Sequence, residues 1–134
     1  MGIEKFWKIT VVIPVNEGQS EAPLSPSEAM AVCSSLRKVI DHIKASDPIG
    51  RTGNYIGVYG LNVRSGGYTP ADGSNPVKGQ RGKEEEGICY ELITYAPGSV
   101  ADKEVEVFCS EIASIHPWEH PTIEIEHIYS WVPE

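Results

Sequence analysis

Two stretches of this chain carry side chains that could do chemistry. The first is His116-Pro117-Trp118-Glu119-His120-Pro121. Imidazole nitrogens and carboxylate oxygens are the donors that zinc- or copper-type ions take. Prolines bracket and kink the segment, which lets His116, Glu119 and His120 converge on one divalent metal ion. The competing reading is structural. His116 and Glu119 then hydrogen-bond backbone at the end of a helix, and His120 is solvated. A cationic histidine near a helix C-terminus is favourable in any case.

The second stretch is a loop read over 65–83. Gly66, Gly67, Pro70, Gly73, Pro76, Gly79 and Gly82 surround Asn75, and Lys78, Arg81 and Lys83 add positive charge. Glycines let backbone amides approach an anion. No Gly-Lys-Ser/Thr ends the loop and a strand follows it, so it is not a Walker loop. It is a weak phosphate or nucleotide signal. The preferred reading is a structured loop that packs against a neighbouring subunit. Either way, a loop this long inside a small domain is more often functional than idle.

Nucleophilic catalysis finds little support. Cys33 and Cys109 fall on apolar helix stripes, and Cys89 has no histidine partner that the sequence supplies. No Gly-x-Ser-x-Gly elbow or His-Glu-x-x-His helix is present. No catalytic residue is assigned. Trp118 and Trp131 suit packing or subunit contact better than a pocket.

The elements that position these stretches follow from periodicity. Trp7, Ile9, Val11, Ile13 and Val15 alternate with Phe6, Lys8, Thr10 and Val12, a first strand that Pro14 and Asn16 end. A loop over 17–24 follows. Ser25-Pro26-Ser27-Glu28 is a helix start, and Ala29, Val32, Cys33, Leu36, Val39, Ile40 and Ile43 make one helical face. A second strand is read over 55–63. A third covers 88–95, with Cys89, Glu91, Ile93 and Tyr95 on one face. A second helix starts near 99–102, buries Val105, Phe108, Cys109, Ile112 and Ile115, and stops before Pro117. Ile123, Ile125, His127, Tyr129 and Trp131 belong to a fourth strand.

The order β-α-β-β-α-β predicts an α+β, ferredoxin-like sandwich: a four-stranded antiparallel sheet with both helices on one face. The whole chain, 1–134, reads as one domain. One sheet face stays uncovered, and apolar residues fall on both sides of several strands, which predicts a homo-oligomer.

The bulk numbers agree. A chain of 134 residues buries a real core without staples. Net charge is −8, from 19 acidic and 11 basic side chains, which disfavours nucleic acid. The longest apolar run, over 11–15, is too short for a membrane span. The N-terminus lacks a signal-peptide pattern. Three widely spaced cysteines read as reduced thiols in a cytoplasmic protein.

Two motifs then resemble a known family. Gly53-Asn54-Tyr55 precedes Tyr68-Thr69-Pro70-Ala71-Asp72-Gly73-Ser74-Asn75-Pro76, with Gly79 and Gly82-Lys83 beyond, and His116-Pro117-Trp118-Glu119-His120-Pro121 comes later. Together they resemble the insertion domain of the YqfO-type, Nif-three-like family over about residues 6–132. The last stretch is also similar to a segment of CutA-like proteins, which share the fold. Trp118 stands where the family has Tyr, and His120 where it has a second Glu. The resemblance implies a cytosolic setting, trimeric or higher assembly and a regulatory or binding role. It makes Tyr68, Pro70, Gly73, Asn75, Pro76, Gly79, Gly82 and Lys83 the expected ligand-loop residues. The family's dinuclear metal site lies in a flanking domain, so no hydrolase role carries over.

The expected function is a non-enzymatic, oligomeric binding or regulatory protein, with a trimer favoured. Its ligand would be a divalent metal ion or a small metabolite near 116–120 and the 66–83 loop. One alternative is a small metal-dependent enzyme with Glu119 as general base. Another is a structural module that docks on a larger protein.

Overall fold

The computed structural model describes residues 2–15 and 21–133. Seven elements follow in order: β1 (Gly2–Pro14), α1 (Pro26–Val32), α2 (Ser34–Lys44), β2 (Tyr59–Tyr68), β3 (Glu85–Pro97), α3 (Asp102–Ile115) and β4 (Ile123–Val132). The strands form one sheet in the order β2-β3-β1-β4, and every neighbouring pair is antiparallel. This is the ferredoxin-like α+β plan expected from the sequence.

The alternation in β1 decides which face is covered. Trp7, Ile9, Val11 and Ile13 join Tyr90 and Leu92 of β3 in one apolar cluster with Leu36, Val39, Ile40 and Ile43 of α2 and Val105, Phe108 and Ile112 of α3. The Trp7 indole donates from Nε1 to the Val100 carbonyl at 2.9 Å, tying β1 to the start of α3. Cys89, Glu91, Ile93 and Tyr95 share the opposite face of β3 and are half-buried.

The first helical stretch is two helices instead of one. Cys33 separates them with an extended backbone, φ −128° and ψ 99°. Its N–H still bonds the Ala29 carbonyl, and its own carbonyl accepts from Arg37. The i→i−4 spacing therefore survives across the break, and so does the apolar period that reads as a single helix.

The second strand is displaced from the expected 55–63. Thr52 and Tyr55 bond each other in a tight turn, and Gly57 has φ +63°. The backbone from Thr52 to Val58 is thus tied by this turn and by the Val58 N–H to the Gly50 carbonyl, outside the β2–β3 ladder. At its far end β2 runs on to Tyr68, because Ser65, Gly66, Gly67 and Tyr68 pair with Ile88, Gly87, Glu86 and Glu85. The loop read over 65–83 is therefore 69–84. The expected 17–24 connection lies partly outside the described residues.

The sheet is not of even width. Ile3, Glu4 and Lys5 pair with Trp131, Ser130 and Tyr129 of β4, while β3 first meets β1 at Phe6. A two-stranded ribbon thus overhangs one end. Ile3, Tyr129 and Trp131 are 72%, 73% and 65% exposed on it. Among the described residues both outer strands, β2 and β4, keep one unpaired edge.

Candidate functional site

The segment after α3 is fixed by His116. It is buried, with 8% exposure. Its Nε2 lies 2.6 Å from the Val12 carbonyl oxygen, and its Nδ1 accepts the Trp118 backbone N–H at 3.1 Å. With Nδ1 accepting, the proton sits on Nε2 and is donated to Val12. Burial pushes the imidazole pKa below its ordinary value, against the opposing effect of the Val12 bond. A neutral ring with one donor and one acceptor, both engaged, has no nitrogen left for a metal.

Glu119 is held differently. Its Oε1 accepts the Asn75 backbone N–H at 2.8 Å. That bond joins the segment after α3 to the 69–84 loop, 44 residues away. The loop itself is closed by internal bonds. Gly82 N–H donates to the Pro70 carbonyl at 2.7 Å, and the Tyr68 hydroxyl donates to the Lys78 carbonyl at 2.7 Å. Arg81 donates from Nε and Nη2 to the Ser74 carbonyl at 2.9 and 2.6 Å. Arg81 is thereby a structural brace and not a free cation.

Together the two motifs wall a pocket of about 380 Å³. The sheet supplies Val12, Arg64 and Cys89. The loop and its hinge supply Tyr68, Pro70, Asn75, Pro76, Val77 and Lys78. The segment after α3 supplies Trp118, Glu119, His120 and Thr122. Of the expected loop residues, Tyr68, Pro70, Asn75 and Pro76 line it, while Gly73, Gly79, Gly82 and Lys83 shape the loop elsewhere. Gly73, Gly79 and Gly82 have φ of +88°, +96° and +79°, so their glycine identity serves the turns.

The expected metal set is not assembled. Glu119 and His120 reach the pocket, but His116 points into the core. Among the described residues no group of three or more His, Cys, Asp and Glu side chains lies close enough to hold a metal ion. His116 and Glu119 both bond backbone instead.

Arg64 is the residue that sequence reading missed. It sits opposite Cys89 on β2, on a strand whose pairing register no local pattern reveals. Its Nη1 is 3.1 Å from Glu91 and 3.9 Å from Glu124. Lys78 pairs with Glu85 at 3.4 Å. Burial pushes the Cys89 thiol pKa up, and Arg64 and Lys78 oppose it without cancelling it. Cys89 is therefore a protonated thiol at neutral pH and a poor nucleophile.

No family model matches this sequence, and no curated protein sequence matches it. Solved structures do match in fold. A Bacillus cereus protein related to NIF3 superposes with a TM-score of 0.63 at 16% identity, over 96% of this chain. The chain spans 27% of that protein's length. CutA of Pyrococcus horikoshii gives a TM-score of 0.54 at 15% identity, over 91% of this chain and 83% of its own. The divalent ion tolerance protein CutA1 of Ehrlichia chaffeensis gives 0.51 at 10% identity, over 98% and 86%. The chain has a CutA/NIF3-like fold.

Proposed function

We propose that this chain is a non-enzymatic, self-associating protein that binds a small metabolite in the pocket between the 69–84 loop and the segment after α3. One observation carries the reading. The Asn75–Glu119 bond locks two motifs, distant in sequence, around one cavity. Cavities of this size, mostly apolar with a few converging polar groups, are the usual form of a small-ligand site. Two candidates for covalent or proton chemistry are set aside: Cys89 is protonated, and His116 has both ring nitrogens engaged.

Self-association is supported by the exposed Ile3, Tyr129 and Trp131 and by the two open sheet edges. A trimer is the state that the family resemblance favours. The odd number and wide spacing of the cysteines support a reducing, cytoplasmic setting. No helix among the described residues is long and apolar enough to cross a membrane. The names of the CutA1 neighbours keep a divalent cation in view. Glu119 and His120 are the two donors this chain would bring, and two are too few for a closed site. The metal-dependent enzyme with Glu119 as base loses its ligand set on the same ground.

Native mass spectrometry of protein purified without chelator or tag tests the proposal. The expected result is an oligomer that retains one small organic mass per subunit. A bare chain that also ignores a metabolite library would overturn it. One bound metal mass per subunit would shift the reading to the cation.

A further inference from the structure

The pocket's chemistry narrows its ligand class, on the premise that the pocket binds a small molecule as proposed above. We propose that it takes a small planar organic monoanion, an aromatic or heteroaromatic carboxylate, with the carboxylate on Arg64 and the ring against Trp118. The Arg64 guanidinium is engaged at Nη1 by Glu91 and Glu124. Its Nε and Nη2 make no hydrogen bond to any described residue. That edge is a planar fork matched to a carboxylate. Arg64 lines the cavity and stands opposite Cys89.

Charge sets the stoichiometry. The wall's two cations are Arg64 and Lys78, in a protein of net charge −8. The Glu91 and Glu124 carboxylates already offset part of the Arg64 charge from its Nη1 side. Lys78 shares its charge with Glu85 at 3.4 Å. One free guanidinium edge suits one negative charge better than a phosphate dianion. The body of the ligand follows from the rest of the wall. Gly66, Gly67 and Gly87 bring bare backbone to the wall, with the Lys78 ammonium over Gly87, and the half-buried Trp118 offers a ring to stack on.

The test is a ¹⁵N NMR titration of the full chain with benzoate, nicotinate and indole-3-carboxylate, each against its neutral amide. Trp118→Phe assigns the Trp118 indole signal. The expected result is that carboxylates move that signal and bind about tenfold tighter than the amides. Arg64→Gln, checked for an unchanged spectrum elsewhere, should erase the difference, and Arg64→Lys should keep part of it. Amides binding as well as carboxylates in the unaltered protein would overturn the anion and leave the pocket standing. Phenyl phosphate binding tighter than benzoate would overturn the single charge. If no probe moves the Trp118 signal, the aromatic carboxylate class falls, while the pocket itself stands or falls on the metabolite library above.

Discussion

His116 offers the sharpest test of how the site is held. In His116→Ala the Val12 carbonyl and the Trp118 amide lose their partners at a position with 8% exposure. An unsatisfied buried polar group costs about 1–3 kcal/mol. The ring's departure adds a cavity worth about 1 kcal/mol more. The expected loss is therefore about 4 kcal/mol, a large part of the ~5–15 kcal/mol that holds such a domain. Urea unfolding should show a lowered midpoint with an unchanged slope. The thermal midpoint should fall by roughly 12–20 °C. The pH dependence gives an independent reading. The folded ring's pKa lies below its ordinary value of 6.5, so above that pH the ring is neutral in both states and its contribution is constant. As pH falls through 6.5 the unfolded chain takes up a proton that the folded ring resists. Stability then declines until the folded value is reached. His116→Phe should lack this acid-side component. A loss under about 1 kcal/mol for His116→Ala, or the same acid profile in His116→Phe, would refute the argument that both nitrogens are committed.

Three further outcomes follow from the same geometry. Glu119→Ala removes the acceptor for the Asn75 N–H, so trypsin should cut faster after Lys78, Arg81 and Lys83, while Glu119→Gln, which keeps an acceptor oxygen, should resemble the parent. Cys89 should alkylate more slowly than a free thiol at pH 7, because burial raises its pKa, and Arg64→Gln should slow it further; peptide mapping after iodoacetamide reads this, and a fast reaction would sink the neutral-thiol reading. Gly98→Ala places a methyl group against the Lys5 carbonyl oxygen, which the backbone must move to admit, so a loss of about 1–3 kcal/mol in urea unfolding is expected.

The fold was legible because period and punctuation agreed. Trp7, Ile9, Val11 and Ile13 keep a period of two, Pro26 starts a helix, and the residue before Pro117 ends another. Legibility failed where glycine served pairing instead of turning. Gly66 and Gly67 read as loop, but they lie in β2 opposite Gly87 and Glu86. It failed again at Cys33, where the backbone breaks and the side-chain period does not. The two motifs of the site were visible as motifs, and their meeting in one pocket was expected. Their division of labour was not visible. Which of His116, Glu119 and His120 turns inward depends on Val12, about a hundred residues earlier. Arg64 stayed hidden for the same reason, since a strand's cross-sheet neighbour is a long-range property.

The overhanging ribbon has an architectural consequence. Gly2 pairs with Val132, so β1 begins where β4 stops. The two points lie one strand spacing apart, about 5 Å. A host protein could carry this unit between two adjacent residues of a surface hairpin without spreading that hairpin open. A short peptide bridge would equally close the unit on itself and allow new ends to be cut in a distant turn.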